Sequence, residues 1–173
     1  MKRFLPPLQP FGLGIAALAL TAIPSSAHAA TEPPHLKAAI IYNIIRFVDL
    51  RPPSGRVVLC VPGNEPLADA LQVYDGRNVA GGRLEVRVVK RTAWSVDCRI
   101  AYVAPGSAGP AGNAPPPATL LIGEGSDFLD RQGSVAIVSF GRQIGFEVNL
   151  TAGARAGAVF SSRLLRLARA VKD

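Results

Sequence analysis

Few side chains in this sequence are equipped for reactive chemistry. Cys60 and Cys98 are its two cysteines, and His28 and His35 its two histidines. A Cys-x-x-Cys redox motif brings two thiols onto one helical turn, and Cys60 and Cys98 lie far outside that spacing. A structural zinc site needs closely spaced ligand pairs; Cys60, Cys98 and His35 offer three donors without them. A Ser-His-Asp triad or a Cys-His pair would have to recruit His35, which sits beside Pro33-Pro34 at a predicted helix start. Gly123-Glu124-Gly125-Ser126-Asp127 has the look of a catalytic loop, but its serine is not flanked by glycines two residues away on both sides. No phosphate-cradling G-x-x-x-x-G-K-[ST] run is present. The residues therefore predict no catalytic site, no cofactor and no metal. What they leave is a pair of thiols.

The fate of those thiols follows from the N-terminus. Met1-Lys2-Arg3 precedes an apolar stretch from Phe11 to Ile23, and Ala27-His28-Ala29 follows. A basic start, a short greasy core and an Ala-x-Ala triplet form a secretory signal, with cleavage expected after Ala29. The apolar core is shorter than the roughly 20 residues a spanning helix needs. No cysteine lies near the cleavage site for lipid attachment. The expectation is an exported, soluble protein of a bacterial periplasm, residues 30–173, in which two thiols oxidise to one disulfide.

Charge narrows the partners. The whole chain carries +7, and removal of Lys2 and Arg3 leaves a smaller positive excess. That suits an acidic protein or an anionic membrane surface. Nucleic acid is not expected, because the chain is exported and no basic run is interleaved with aromatics.

The elements that must position these residues can be read from periodicity. Leu36 to Leu50 has apolar residues at helical spacing, nearly all round, with Pro33-Pro34 before it and Pro52-Pro53 after it. Arg56–Val61, Cys98–Ala104 and Thr119–Ile122 are short apolar runs that predict buried strands, and Leu84–Val89 alternates as a strand with one wetter face. Leu67–Val73 and a turn near Phe128-Leu129 predict short helices. Val135–Phe140 and Ile144–Leu150 flank Gly141-Arg142-Gln143 as a hairpin. Thr151 is the expected cap of a helical turn ending at Gly157, and Ser161 that of a last helix, Ser162–Val171. Together these predict one domain, a layered α/β sandwich with a mixed, mostly parallel sheet and an antiparallel hairpin near the C-terminus. Pro105 to Pro117 is rich in Pro and Gly and predicts a flexible loop.

Two segments carry a recognisable pattern. One is Lys37-Ala38-Ala39-Ile40-Ile41-Tyr42-Asn43-Ile44-Ile45-Arg46-Phe47-Val48. The other is Ile144-Gly145-Phe146-Glu147-Val148-Asn149-Leu150, continuing through Arg155-Ala156-Gly157 to Ser161-Ser162-Arg163-Leu164-Leu165-Arg166-Leu167-Ala168. With Leu59-Cys60-Val61 and Asp97-Cys98-Arg99-Ile100 between them, the chain resembles the YfiR-like family of periplasmic regulators. The resemblance implies a non-enzymatic repressor that binds the periplasmic region of an inner-membrane diguanylate cyclase and so lowers cyclic di-GMP and biofilm formation. It also implies self-association, and a supporting role for oxidised cysteines, with Cys60 and Cys98 as the matching pair. Some relatives have a second pair nearer the C-terminus, which this chain lacks. Relatives commonly carry a helix where Pro105 to Pro117 stands. An alternative within the same compartment is a small-ligand sensor acting on another membrane partner, such as a sensor kinase or a transporter; crevices at strand ends of an α/β sheet permit it.

Seven further residues are candidates for ligand or partner contact, each with a structural reading beside it. Tyr42 and Asn43 are polar within an apolar helix and, if buried, need hydrogen-bond partners. Glu147 and Asn149 share one face of their strand and serve either the following turn or a groove. Arg163, Arg166 and Arg169 recur every three positions, as a solvated face or as a docking stripe for an acidic segment or anionic lipid. The bridge itself is either a staple or a redox input.

Overall fold

The computed structural model describes residues 33–50, 55–63, 66–90, 94, 96–106, 115–141 and 143–173. The segment expected to be an export signal, Pro52-Pro53, residues 107–114 of the Pro/Gly-rich loop and Arg142 lie outside them. From Glu32 onward the chain forms one unit.

Pro34 opens α1 (Pro34–Ile45) at the position where a missing N–H costs nothing. Ala38, Ile41, Ile44 and Ile45 recur on one side and are buried. The expected continuation to Leu50 does not occur. Arg46 and Phe47 close the helix by donating to Tyr42 O and Ile44 O. The chain then extends as β1 (Val48–Leu50), which pairs antiparallel with β9 (Ala158–Phe160). Val48-Asp49-Leu50 alternates, and an alternating segment with a strand beside it gains more from a ladder than from another helical turn.

The main sheet has eight strands in the order β10-β8-β7-β6-β5-β2-β4-β3. They are β2 (Gly55–Pro62), β3 (Asn78–Val79), β4 (Gly82–Val89), β5 (Ile100–Tyr102), β6 (Leu120–Glu124), β7 (Val135–Phe140), β8 (Gln143–Asn149) and β10 (Ala170–Lys172). β4, β2, β5, β6 and β7 run parallel, while β7–β8 and β3–β4 are antiparallel. The expected mixed, mostly parallel sheet with a C-terminal hairpin is therefore present. Helix α2 (Pro66–Gln72) covers one face and α3 (Asp127–Asp130) the other.

Alternation along the strands sorts the core into two layers. Leu59, Val61, Ile100, Ile122 and Val148 face α1 and α2 in the larger layer. Val58, Cys60, Val89 and Cys98 face the other way, with Trp94 against them. Each Ile or Leu fully withdrawn from water contributes roughly 1.5–3 kcal/mol, so the α1 face holds most of the hydrophobic stabilisation.

Two further expectations are corrected at the C-terminus. The cap of α4 (Leu150–Arg155) is Asn149, whose Oδ1 accepts from Ala152 N at 2.8 Å, not Thr151. Ser161 does cap α5, accepting from Leu164 N, but α5 ends at Leu165 and not at Val171. Arg169 N donates to Phe146 O, and Ala170–Lys172 then pair in parallel with β8. An edge strand with open carbonyls offers these residues hydrogen bonds that an isolated amphipathic turn could not predict.

Candidate functional site

On the α1 face lies a groove of about 340 Å³ between α1, β8 and α5. Ile40 and Ile44 form one wall, Ile144 and Phe146 the floor, and Leu164 the other wall. Asn43, Phe47, Arg163 and Leu167 stand at its rim. Leu167 is 66% exposed, a large apolar side chain left in water beside an apolar hollow. The β1–β9 ribbon sets the width of the groove: Ser161 N donates to Phe47 O at 3.0 Å, tying the end of α1 to the start of α5. The Arg163 guanidinium lies 5.3 Å from the Phe47 ring centre. The hollow has room for an apolar side chain, with an amide and a cation at its mouth; ligand sites are commonly apolar hollows with a few polar groups.

Of the seven candidate contact residues, Asn43 and Arg163 meet at this rim. Tyr42 lies one step round α1, stacked on Tyr74 with ring centres 4.4 Å apart. Glu147 and Asn149 face the opposite side of the sheet, since Glu147 pairs in register with Ala136 of the second layer. Asn149 is spent on the α4 cap. Glu147 is 7% exposed, and one of its oxygens is 4.0 Å from Arg169 Nε. Arg169 also covers the Phe140 ring at 4.6 Å. Arg166 is exposed at the C-cap of α5. Because α5 ends at Leu165, the three arginines do not form one helical stripe; the chain turns between them.

Cys60 and Cys98 form a disulfide with a Cα–Cα distance of 5.7 Å. Both are buried, between β2 and the approach to β5. Thr119 donates to Cys98 O at 2.9 Å, linking the bridge to the start of β6. Arg87 stands opposite Cys60 in the β2–β4 pair. It donates to Glu85 at 2.5 Å and lies 3.5 Å from Asp97, the neighbour of Cys98. Glu85 also receives Arg56 at 2.9 Å. The Arg87 hydrogen bond, more than any other contact, holds the Glu85 carboxyl below its usual range, and the same bond raises Arg87.

The sequence did not single out a third grouping. Glu124, at the end of β6, accepts from Lys37 Nζ of α1 at 2.5 Å and from the Tyr102 hydroxyl at the end of β5. Ligands of open α/β sheets tend to enter at carboxyl ends near a reversal of strand order. Here the order reverses between β2 and β5, and the protein's own Lys, Glu and Tyr occupy the neighbouring strand ends. A lone Lys in the first turn of an apolar helix, and a Glu closing a buried strand, were the available signals. Phe47 and Leu167 were hidden among apolar residues and had no signal of their own.

Among the described residues no helix is long and apolar enough to cross a membrane. Comparison with curated proteins finds no match. Among solved structures, a conserved domain protein from Vibrio cholerae O1 biovar El Tor str. N16961 is similar, with a TM-score of 0.51 and 13% identity over 81% of this chain. This chain spans 60% of that protein's length, and the likeness concerns the fold alone. The family profile described as YfiR/HmsC-like matches residues 34–169, from the first residue of α1 to the turn before β10, and takes in both walls of the groove. On that match, the chain belongs to the YfiR/HmsC-like family.

Proposed function

We propose that this protein is a periplasmic regulator that binds an inner-membrane diguanylate cyclase and represses it, lowering cyclic di-GMP and with it biofilm formation. The family match over residues 34–169 carries the reading. The groove between α1 and α5 supports it, because an apolar hollow rimmed by Asn43 and Arg163 suits an anchor side chain of a partner protein.

Deletion of the gene tests the proposal. Cellular cyclic di-GMP and surface attachment should rise, and wild-type protein supplied in trans should reverse both. An unchanged nucleotide level in a strain whose cyclase is active would overturn it. The volume of the groove also suits a small ligand, which favours a sensor acting on a different membrane protein as the second reading. Capture of membrane proteins by the tagged protein, with and without reductant, separates the two: recovery of a cyclase supports repression, and recovery of a kinase or transporter in its place supports sensing.

A further inference from the structure

Beside the groove, cations and aromatic rings alternate across three elements. Arg77, just past α2, lies 5.4 Å from the Tyr74 ring centre and 6.0 Å from that of Tyr42. Tyr74 and Tyr42 stack with their planes 19° apart. Arg46 lies 5.8 Å from Tyr42 on one side and 5.6 Å from Phe47 on the other. Arg163 completes the row over Phe47. All three arginines are exposed.

No carboxylate among the described residues pairs with Arg46, Arg77 or Arg163, whereas Arg56, Arg87, Arg131 and Arg169 each have one within reach. Three cations gathered on one strip repel one another, and each ring contact at an exposed site returns only about 0.5–1 kcal/mol. The strip is therefore short of negative charge. The rings lie beside the guanidiniums, and their forked N–H groups suit carboxylates.

We infer that this ladder, Arg77-Tyr74-Tyr42-Arg46-Phe47-Arg163, is a docking surface for an acidic polypeptide segment of the membrane partner. The inference rests on the regulator reading above and adds the chemistry of the partner to it. Anionic lipid is the weaker occupant on physical grounds. Lipid headgroups recruit clusters of basic side chains without needing aromatic neighbours, while here the charges are interleaved with Tyr42, Tyr74 and Phe47, and Tyr and Arg are enriched among the residues that carry protein–protein binding energy. The ladder shares Phe47 and Arg163 with the groove. The segment that fits thus carries Asp or Glu along the ladder and an apolar side chain that enters the hollow.

The test uses the mature disulfide-bonded protein and a fluorescein-labelled synthetic peptide of Glu, Asp and Leu, followed by fluorescence anisotropy. Vesicles of phosphatidylglycerol serve as the lipid probe. The Arg46→Glu/Arg77→Glu pair should weaken peptide binding by at least about tenfold, and the equal-charge control Lys90→Glu/Arg155→Glu by no more than about twofold. Arg46→Gln/Arg77→Gln, checked for an unchanged melting temperature, guards against misfolding and should also lose most of the binding. Equal losses in the ladder and control pairs would reduce the effect to net charge and overturn the inference. So would binding to the vesicles but not to the peptide. If the wild type binds the peptide through the ladder yet captures no cyclase, the repressor reading fails and the acidic-segment site stands. If both Arg46/Arg77 pairs still capture a cyclase at full strength, the ladder fails and the repressor reading stands.

Discussion

Arg87 shows how much of this protein's electrostatics gathers round its one bridge. It stands opposite Cys60, holds Glu85, and reaches the residue beside Cys98. The folded Glu85 carboxyl has a depressed pKa, chiefly through the Arg87 hydrogen bond. Its contribution to stability is therefore complete above the unfolded carboxylate range and is lost as pH falls through the lower folded value. Glu85→Gln should lower the melting temperature slightly at neutral pH. That difference should begin to shrink as pH falls through the ordinary carboxylate range, about 4.3, and vanish only below the lower folded value. Melting curves at stepped pH check it, and a difference that persisted in acid would assign the effect to packing. Of this network the sequence shows only alternating charges on Leu84–Val89. Arg87 and Asp97 lie ten positions apart in sequence, and no local pattern brings them together. The cysteine pair, by contrast, was legible from a count of two together with the export expected of the N-terminal segment.

At the scale of elements, the buried strands were readable because a strand covered on both faces is a continuous apolar run. The errors fall at ends. The last turn expected of α1 became β1, and the tail expected of α5 became β10, because in each case a distant strand supplied the deciding hydrogen bonds. The β1–β9 ribbon is the consequence that bears on function, since it spaces the two walls of the groove. Its support is Gly153 in α4: a Cβ there would come within 2.2 Å of the Phe160 ring of β9. Gly153→Val should cost about 1–3 kcal/mol by overpacking. The loss should be local first, so amide exchange at Val48–Leu50 should quicken before that of β2 or β6. A second change, Phe160→Leu, should restore part of the protection. Uniform loosening of the whole sheet would show that the ribbon is not a separate unit.

For the molecule as a whole, the informative relation is between bridge and groove. Cys60 and Cys98 belong to the layer with Val58, Val89 and Trp94, while Phe146, Ile44 and Leu164 belong to the layer on the other face of the sheet. The groove therefore makes no contact with the disulfide, and oxidation state can reach it only through the stability of the strands between. The bridge closes a span of 38 residues, for which chain entropy suggests about 4 kcal/mol, a large part of a typical 5–15 kcal/mol. Two measurements distinguish a staple from a direct switch. The Cys60→Ser/Cys98→Ser protein should melt roughly 10 °C lower than the oxidised form. Well below that melting point it should keep the groove and bind the captured partner with unchanged affinity. Near it, binding should fail in step with unfolding, so that redox sensitivity emerges only as temperature or denaturant approaches the transition. An affinity that fell many-fold on reduction while the fold stayed fully native would instead require the bridge to act through the sheet on α1 and α5.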